Sequence, residues 1–382
     1  MRDYELVSVW GIPIRIHISL PVVLPILAWL IGSGEQIDLY AGLINTFPVV
    51  ALDPAVLRAG TTPWLIGIVA AVGLFVSVTI HELGHAWAAR RYGIEVQSIT
   101  LWLLGGLANL ESMPREWTQE LWIALAGPAA SVLVAVVCYG AVLVVPSSAP
   151  AAVFVLGWLV VTNVVLTAFN LLPAFPMDGG RVLRALLARS RPYASATRTA
   201  ARVGSLFAVG FAILGVLSFS PMLFLLALFV YGAANGESRF VALETLLEGV
   251  TAADVMSTNV RPVSPETRLS DLSERMFEER RTTYPVVDDS GSVVGVVSLD
   301  SLRRKRRRNA TTVRDVMSEG FPTVAGHTPM FEVVGLLNGS EAKTAVVEEN
   351  GEVVGTVTAA DLATVLQIRR EAGTTLSPRT AM

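Results

Sequence analysis

Four stretches of this chain are apolar, uncharged and longer than a globular core requires: residues 61–80, 121–146, 151–177 and 203–236. A helix needs about 20 mostly apolar residues to cross the hydrocarbon of a bilayer. The last stretch is too long for one crossing, and Ser220-Pro221 divides it into a helical hairpin, because proline breaks a helix interior. Residues 17–32 form a shorter first candidate that contains Pro21 and Pro25. The pattern predicts six spans. Charged residues make up only 16% of the 382, against about 25% in an average soluble domain. Most acidic residues follow position 240, so a membrane part precedes a soluble part.

Arginine placement predicts the direction of the spans. Loop 33–62 holds Arg58 against Glu35, Asp38 and Asp53 and reads as outside, whereas Arg90 and Arg91 end the second span and read as cytoplasmic. Residues 181–203 carry Arg181, Arg184, Arg189, Arg191, Arg198 and Arg202 without an acid, a second cytoplasmic signal. Six spans then put the N-terminus and the soluble part in the cytoplasm of a multi-pass cell-membrane protein. Residues 1–15 mix Asp3, Glu5 and Arg15 with a turn at Gly11-Ile12-Pro13, which does not read as a cleaved signal. Residues 94–111 have β-like stretches around Gly105-Gly106. At membrane depth such a segment must be buried in protein or face water, since lipid cannot satisfy open strand edges.

The chemistry concentrates at His81-Glu82-Leu83-Gly84-His85. On a helix, positions i and i+4 share a face, so two imidazoles can point at one ion. This is the HExxH spacing of zinc peptidases, with Glu82 placed as general base for the attacking water. Zinc lowers the pKa of a bound water to about 7. The bland reading, a pair of helix-end histidines facing water, fits less well with residues that continue directly from an uncharged span, where ionisable groups are costly. A catalytic zinc takes three protein ligands and keeps one open position. The other histidines, His17 and His327, belong to other regions. Asp178, just past the apolar run 151–177 and at the same predicted depth as His81 and His85, is the candidate third ligand. Its alternative is an N-cap of the helix 181–189. Cys138 is the only cysteine, which excludes an intramolecular disulfide and reads as a small buried hydrophobe.

In these residues and their order the chain resembles the site-2 protease family of intramembrane metallopeptidases. The matching blocks are residues 11–17 (GIPIRIH), 81–85 (HELGH), Gly105-Gly106, Ala126-Gly127-Pro128 and the segment from Asn170 to Gly180 with its NxxPxxxxDG pattern. The resemblance implies one Zn2+ per chain held by His81, His85 and Asp178, with Glu82 as base and Asn170 hydrogen-bonding the oxyanion. It implies a transmembrane protein substrate, for instance an anti-sigma factor or a similar regulator, cut by regulated intramembrane proteolysis. One departure is that Ala129, Ala130 and Ser131 follow Ala126-Gly127-Pro128, where the family often has an asparagine. The Gly105-Gly106 hairpin offers either an edge for strand addition or a plug that shields the zinc.

Residues 251–366 repeat internally: Thr251-Ala252-Ala253-Asp254-Val255-Met256-Ser257 recurs from Thr312 to Ser318, and the valine-rich segment from Val293 to Ser298 recurs from Val353 to Thr358. This resembles a tandem pair of cystathionine-β-synthase (CBS) domains, which implies clefts for ATP or AMP. The family's Thr/Ser-x-x-Asp turn is present as Thr358-Ala359-Ala360-Asp361, making Thr358 and Asp361 the candidate nucleotide-binding residues. The first repeat reads Ser298-Leu299-Asp300-Ser301, with serine in place of the aspartate. A dimerisation or rigid docking module without ligand is the alternative, and a homodimer through the CBS domains is a further expectation. The basic run 303–308 suits a linker or a face near anionic lipid headgroups. The net charge of −3 argues against nucleic acid as a partner.

The predicted fold is a polytopic α-helical membrane domain of about six transmembrane helices with a small membrane-embedded β-hairpin region, followed by an α+β tandem CBS domain. The expected limits are 1–240 for the intramembrane metalloprotease domain and 250–367 for the CBS pair, with repeats at about 251–305 and 312–366 and a disordered tail at 368–382. The competing reading is a CBS-regulated membrane channel or transporter, in which the intramembrane ionisable groups would line an ion path.

Overall fold

A computed structural model describes residues 3–48, 50–102, 105–110, 114, 116–258, 261–305, 310–349 and 351–371. Two compact units divide between Arg239 and Phe240. The chain opens with strands β1 (Asp3–Val9) and β2 (Ile12–His17), then helices α1 (Leu20–Ile31), α2 (Gly34–Ile44), α3 (Pro54–Leu57) and α4 (Thr62–Arg91). Strands β3 (Val96–Trp102) and β4 (Gly105–Leu110) follow, then α5 (Trp117–Val144), α6 (Pro150–Asn170), α7 (Asp178–Ala188), α8 (Tyr193–Leu217) and α9 (Pro221–Leu247).

Four helices, α4, α5, α6 and α8, are long and apolar enough to cross a membrane, and a fifth span is possible if the bent pair α1–α2 counts as one. The predicted first span, residues 17–32, corresponds to α1, and the stretch read as the loop 33–62 holds the helix α2. α1 is only 12 residues long and turns by 67° into α2. The break predicted at Ser220-Pro221 falls between α8 and α9. The packing inverts that of a soluble bundle. Large side chains such as Leu65, Ile68, Val72, Leu133, Val136, Val137, Leu206 and Ile213 face outward, while Ala70, Ala71, Ala86, Ala89, Ala124 and Ala135 lie inside. Lipid gives no hydrophobic drive between helices, so small residues that allow close backbone approach hold the interfaces. α1 crosses α4 in this way: a Cβ on Gly67 would overlap the backbone carbonyl of Ala28.

Four strands of this unit form one sheet. β1 and β2 pair antiparallel across a two-residue turn at Trp10 and Gly11, both with positive φ, the geometry of a type I′ hairpin. β2 then pairs parallel with β3, and β3 antiparallel with β4, giving the order β1-β2-β3-β4. One face of this sheet buries Ile12, Ile14, Ile99 and Leu101 with Ala86 of α4. α4 itself ends cleanly: Gly93 takes φ +74, and Ile94 N–H bonds back to Ala89 O while Gly93 N–H bonds to Arg90 O. That is a glycine-terminated Schellman stop.

The second unit holds α10 (Ala252–Val255), α11 (Leu269–Glu278), β5 (Thr283–Val287), β6 (Val293–Ser298) and α12 (Leu299–Lys305). The second repeat supplies a 3₁₀ turn (Val313–Asp315), β7 (Thr323–Val324), α13 (Met330–Gly339), β8 (Thr344–Glu349), β9 (Glu352–Thr358) and α14 (Ala359–Glu371). The two repeats exchange their leading segments. Val250, Ala252 and Val255 pack in the core of the second repeat, and Val313, Val316 and Met317 in that of the first. Backbone bridges Ser257–Thr356 and Val296–Ser318 tie each leader to the other repeat's strand. Part of the basic run, residues 306–308, and the tail from 372 lie outside the described residues.

Close helix approach sets a prediction. Replacing Gly67 by leucine forces α1 away from α4 and should cost roughly 1–3 kcal/mol of stability, the usual range for overpacking. Gly42→Ala on α2, where a Cβ would meet nothing within 4 Å, should be neutral or slightly stabilising. Thermal unfolding of both variants in detergent checks the contrast.

Candidate metal centre

The two histidines of α4 lie one turn apart with ring centroids 4.8 Å from each other and planes at 81°. Both are buried, as is Asp178. His81 Nε2 is 3.2 Å from His85 Nε2 and 3.2 Å from Asp178 Oδ2, and His85 Nε2 is 3.3 Å from Asp178 Oδ1. Among the described residues this is the group of His, Cys, Asp or Glu side chains whose ligand atoms converge on one point.

Two neighbours orient the imidazoles. His85 Nδ1 lies 2.7 Å from the carbonyl oxygen of Ile123. A carbonyl only accepts, so Nδ1 carries the hydrogen and Nε2 presents its lone pair inward. His81 Nδ1 is 2.9 Å from Ser131 Oγ. The departure noted in the sequence thus acquires a place: Ser131 on α5 is the side chain against His81. Ile123, Gly127 and Ser131 recur every four residues along the face of α5 turned to α4.

The closeness of α4 and α5 depends on glycine. A Cβ on Gly84 would sit 2.6 Å from Ala126 O; one on Gly127 would overlap His85 Nε2 and lie 2.7 Å from His81 Nε2. Asp178 reaches the same point from α7, whose first residue it is; the N-cap position is Met177. The preceding loop folds tightly on itself, with a cis Phe175–Pro176 peptide. Gly180 permits this, since a Cβ there would sit 2.7 Å from the backbone of Ala174 and Phe175. Burial works against the Asp178 carboxylate, but the two facing imidazoles more than offset it and hold its pKa below the ordinary range.

The donor set fits a zinc ion. Three acceptor atoms 3.2–3.3 Å apart repel one another unless a cation or protons lie between them. A tetrahedral ion with bonds of about 2.0–2.1 Å spaces its ligands by roughly 3.3 Å. The tuned Nδ1 partners are the outer contacts such a site uses.

Glu82 lies on α4 beside this centre, under the sheet. A Cβ on Gly106 of β4 would overlap Glu82 Cγ and come within 3.0 Å of its Oε1. Asn170 is the last residue of α6, half-buried where the chain enters the loop to α7. One turn before His81, Ser77 accepts a hydrogen bond from the buried Asn163 of α6 (3.1 Å). In the second unit Asp361 caps α14: its Oδ2 accepts from Thr358 Oγ1 (2.6 Å) and Thr358 N–H (2.9 Å), and its Oδ1 from Ser257 Oγ (3.1 Å). Ser257 belongs to the exchanged leader of the first repeat and was not singled out in the sequence. In the first repeat Ser301 caps the corresponding turn from Ser298.

The chain is similar to known proteins in both of its units. The model of peptidase family M50 matches residues 69–154 and 146–211, and that of the CBS domain matches 252–308 and 313–368. A zinc metalloprotease of Methanocaldococcus jannaschii is 34% identical over 77% of this chain and 84% of its own length. A Mycobacterium tuberculosis protein named as a zinc metalloprotease, Rip3, is 32% identical over 97% of this chain and 94% of its own. A solved site-2 protease structure from Methanocaldococcus jannaschii aligns over 62% of this chain and 95% of that chain at 32% identity, with a TM-score of 0.41.

Gly127→Ala should push both imidazoles aside and weaken zinc retention by about tenfold or more, the scale on which outer contacts tune metal sites. Metal analysis of the purified variant after mild chelation, beside wild type, measures it.

Proposed function

The chain belongs to peptidase family M50, the site-2 protease family of zinc metalloproteases, and carries a tandem CBS pair; from that premise we propose that it hydrolyses peptide bonds within transmembrane segments of other proteins under control of adenine nucleotides. The convergence of His81, His85 and Asp178 beside Glu82 is the observation that carries this reading. Those three side chains hold the zinc. When bound, zinc supplies a Lewis acid that activates water and polarises the scissile carbonyl.

The chain's own residues do the rest. Glu82 takes the proton of the attacking water and later delivers it to the leaving amide nitrogen. Asn170 donates from Nδ2 to the carbonyl oxygen as negative charge builds on it. A helical substrate hides its carbonyls in its own hydrogen bonds and must unwind before attack. β4 ends the sheet order β1-β2-β3-β4 and its Gly106 packs against Glu82; its outer edge, unpaired among the described residues, suits pairing with an unwound strand. The same hairpin shields the centre when no substrate is bound.

In this reading α9 is a sixth span, the domain limits are 1–240 and 250–367, and both termini lie in the cytoplasm. The substrate class is a membrane-anchored regulator of the anti-sigma type. The cleft next to Thr358 and Asp361 takes ATP or AMP, and two chains associate through their CBS pairs. The exchange of leaders supports a nucleotide cleft built from both repeats, because it brings Ser257 to Asp361.

Two experiments follow. Glu82→Gln should keep zinc and fold but lower cleavage of a transmembrane substrate in proteoliposomes by about 10²–10⁴-fold; cleavage at the wild-type rate removes the mechanism. Calorimetry on the full chain should give heat with AMP or ATP that Asp361→Ala abolishes. Absence of heat with both nucleotides ends the regulatory part of the proposal and leaves the protease part standing.

A further inference from the structure

α7 carries a second buried ionic group besides Asp178. The Arg184 side chain is 1% exposed, and it heads the largest fully buried side chains among the described residues. Its Nε donates to Glu120 Oε1 of α5 at 2.6 Å, Nη2 ion-pairs with the same oxygen, and Nη1 pairs with Glu237 of α9. The guanidinium also lies over the rings of Phe175 and Tyr193, at 5.1 and 4.9 Å. Burial disfavours its charge, and the surrounding groups, Glu120 first, more than offset that and hold its pKa above the ordinary value. In the sequence this arginine counted only as a marker of membrane orientation.

The hydrolysis described above uses none of these groups. Apolar packing between α5 and α7 would be at least as stabilising, since a buried ion cluster costs heavily in desolvation. What the cluster adds is geometry. Glu120 lies on the stretch of α5 that continues into Ile123, Gly127 and Ser131, the residues that set the two imidazoles. Phe175 lies in the loop that delivers Asp178. One planar group therefore touches both halves of the metal centre, and a guanidinium held on two sides, by Glu120 Oε1 and by Glu237, fixes distance and rotation where apolar contacts slide.

We propose that Arg184 is a positioning residue: by clamping α7 to α5 through Glu120, it holds Asp178 at the spacing from His81 and His85 that the metal requires, with Glu237 as a second anchor. This rests on Asp178 being a ligand. Glu120 is the inner arm, at 3% side-chain exposure, and Glu237 the open one, at 24%. Loss of the inner arm therefore displaces Asp178 more than loss of the outer one.

The test uses purified full-length protein and two readouts besides activity: zinc affinity by chelator competition, and the visible ligand-field spectrum of the cobalt(II)-loaded protein. Arg184→Met and Glu120→Gln should weaken zinc binding by about 10–100-fold, alter the cobalt bands and lower kcat with KM for a transmembrane substrate unchanged. Arg184→Lys should recover part of the loss, and Glu237→Gln should shift the same quantities less. Wild-type zinc affinity and cobalt spectrum in folded Glu120→Gln and Arg184→Lys would overturn the inference, even if both unfold at lower temperature. Should Arg184→Met fail to fold, the two glutamine variants decide by the same criteria. Asp178→Asn separates the premise from the inference. If it keeps zinc, the ligand assignment itself fails; if it loses zinc while the other variants do not, only the positioning role fails.

Discussion

The membrane unit is organised by the contact of α4 with α5 at Gly84 and Gly127. Two helices that carry ordinary side chains at their crossing stay too far apart for one to support histidines of the other. Here the backbone of Ala126 meets Gly84, and the two imidazoles fill the space that a Gly127 side chain would take. The metal centre is therefore part of the helix interface. The same approach lets Ile123 O and Ser131 Oγ reach the outer nitrogens of the two rings, while both inner nitrogens face Asp178.

Two kinds of force then share the work. Small residues and dispersion hold α1, α4, α5 and α6 together, as expected where lipid removes the hydrophobic drive. Among the described residues of this unit, buried polar side chains meet at three places: Ser77 with Asn163, the three side chains of the candidate metal centre, and Arg184 with its two carboxylates. Each unpaired member would be costly in such surroundings. The CBS unit is built differently. Its cores are valine-rich and soluble in style, and the exchange of leading segments makes each core depend on both repeats.

Much of this was legible in the sequence where periodicity and chemistry coincide. The i, i+4 spacing of His81 and His85 already put both on one helix face, and uncharged runs located α4, α5 and α6. Asp178 could be paired with them because the arginine pattern predicts that both stretches leave the membrane at the same side. The repeat offset exposed the CBS pair. Contacts between distant helices were not legible. Nothing in the order of residues couples Glu120 to Arg184, 64 positions away, and arginine near a span end carries a competing topological meaning. Ser131 looked like the loss of an asparagine, because a short hydroxyl beside a glycine has no signature until the facing helix is known. The strands β1 and β2 were missed although a tight turn joins them, because the strand that anchors β2 in the sheet, β3, is distant in sequence, and the helix α2, to which α1 turns by 67°, lies in a stretch that reads as a loop.

The central claim is that His81, His85 and Asp178 grip one zinc ion. X-ray absorption at the zinc edge of the purified protein tests it most directly. The account predicts one zinc per chain with only nitrogen and oxygen neighbours at about 2.0–2.1 Å, two of them showing imidazole scattering. A protein that purifies without stoichiometric zinc, or whose zinc spectrum lacks the imidazole pair, contradicts it.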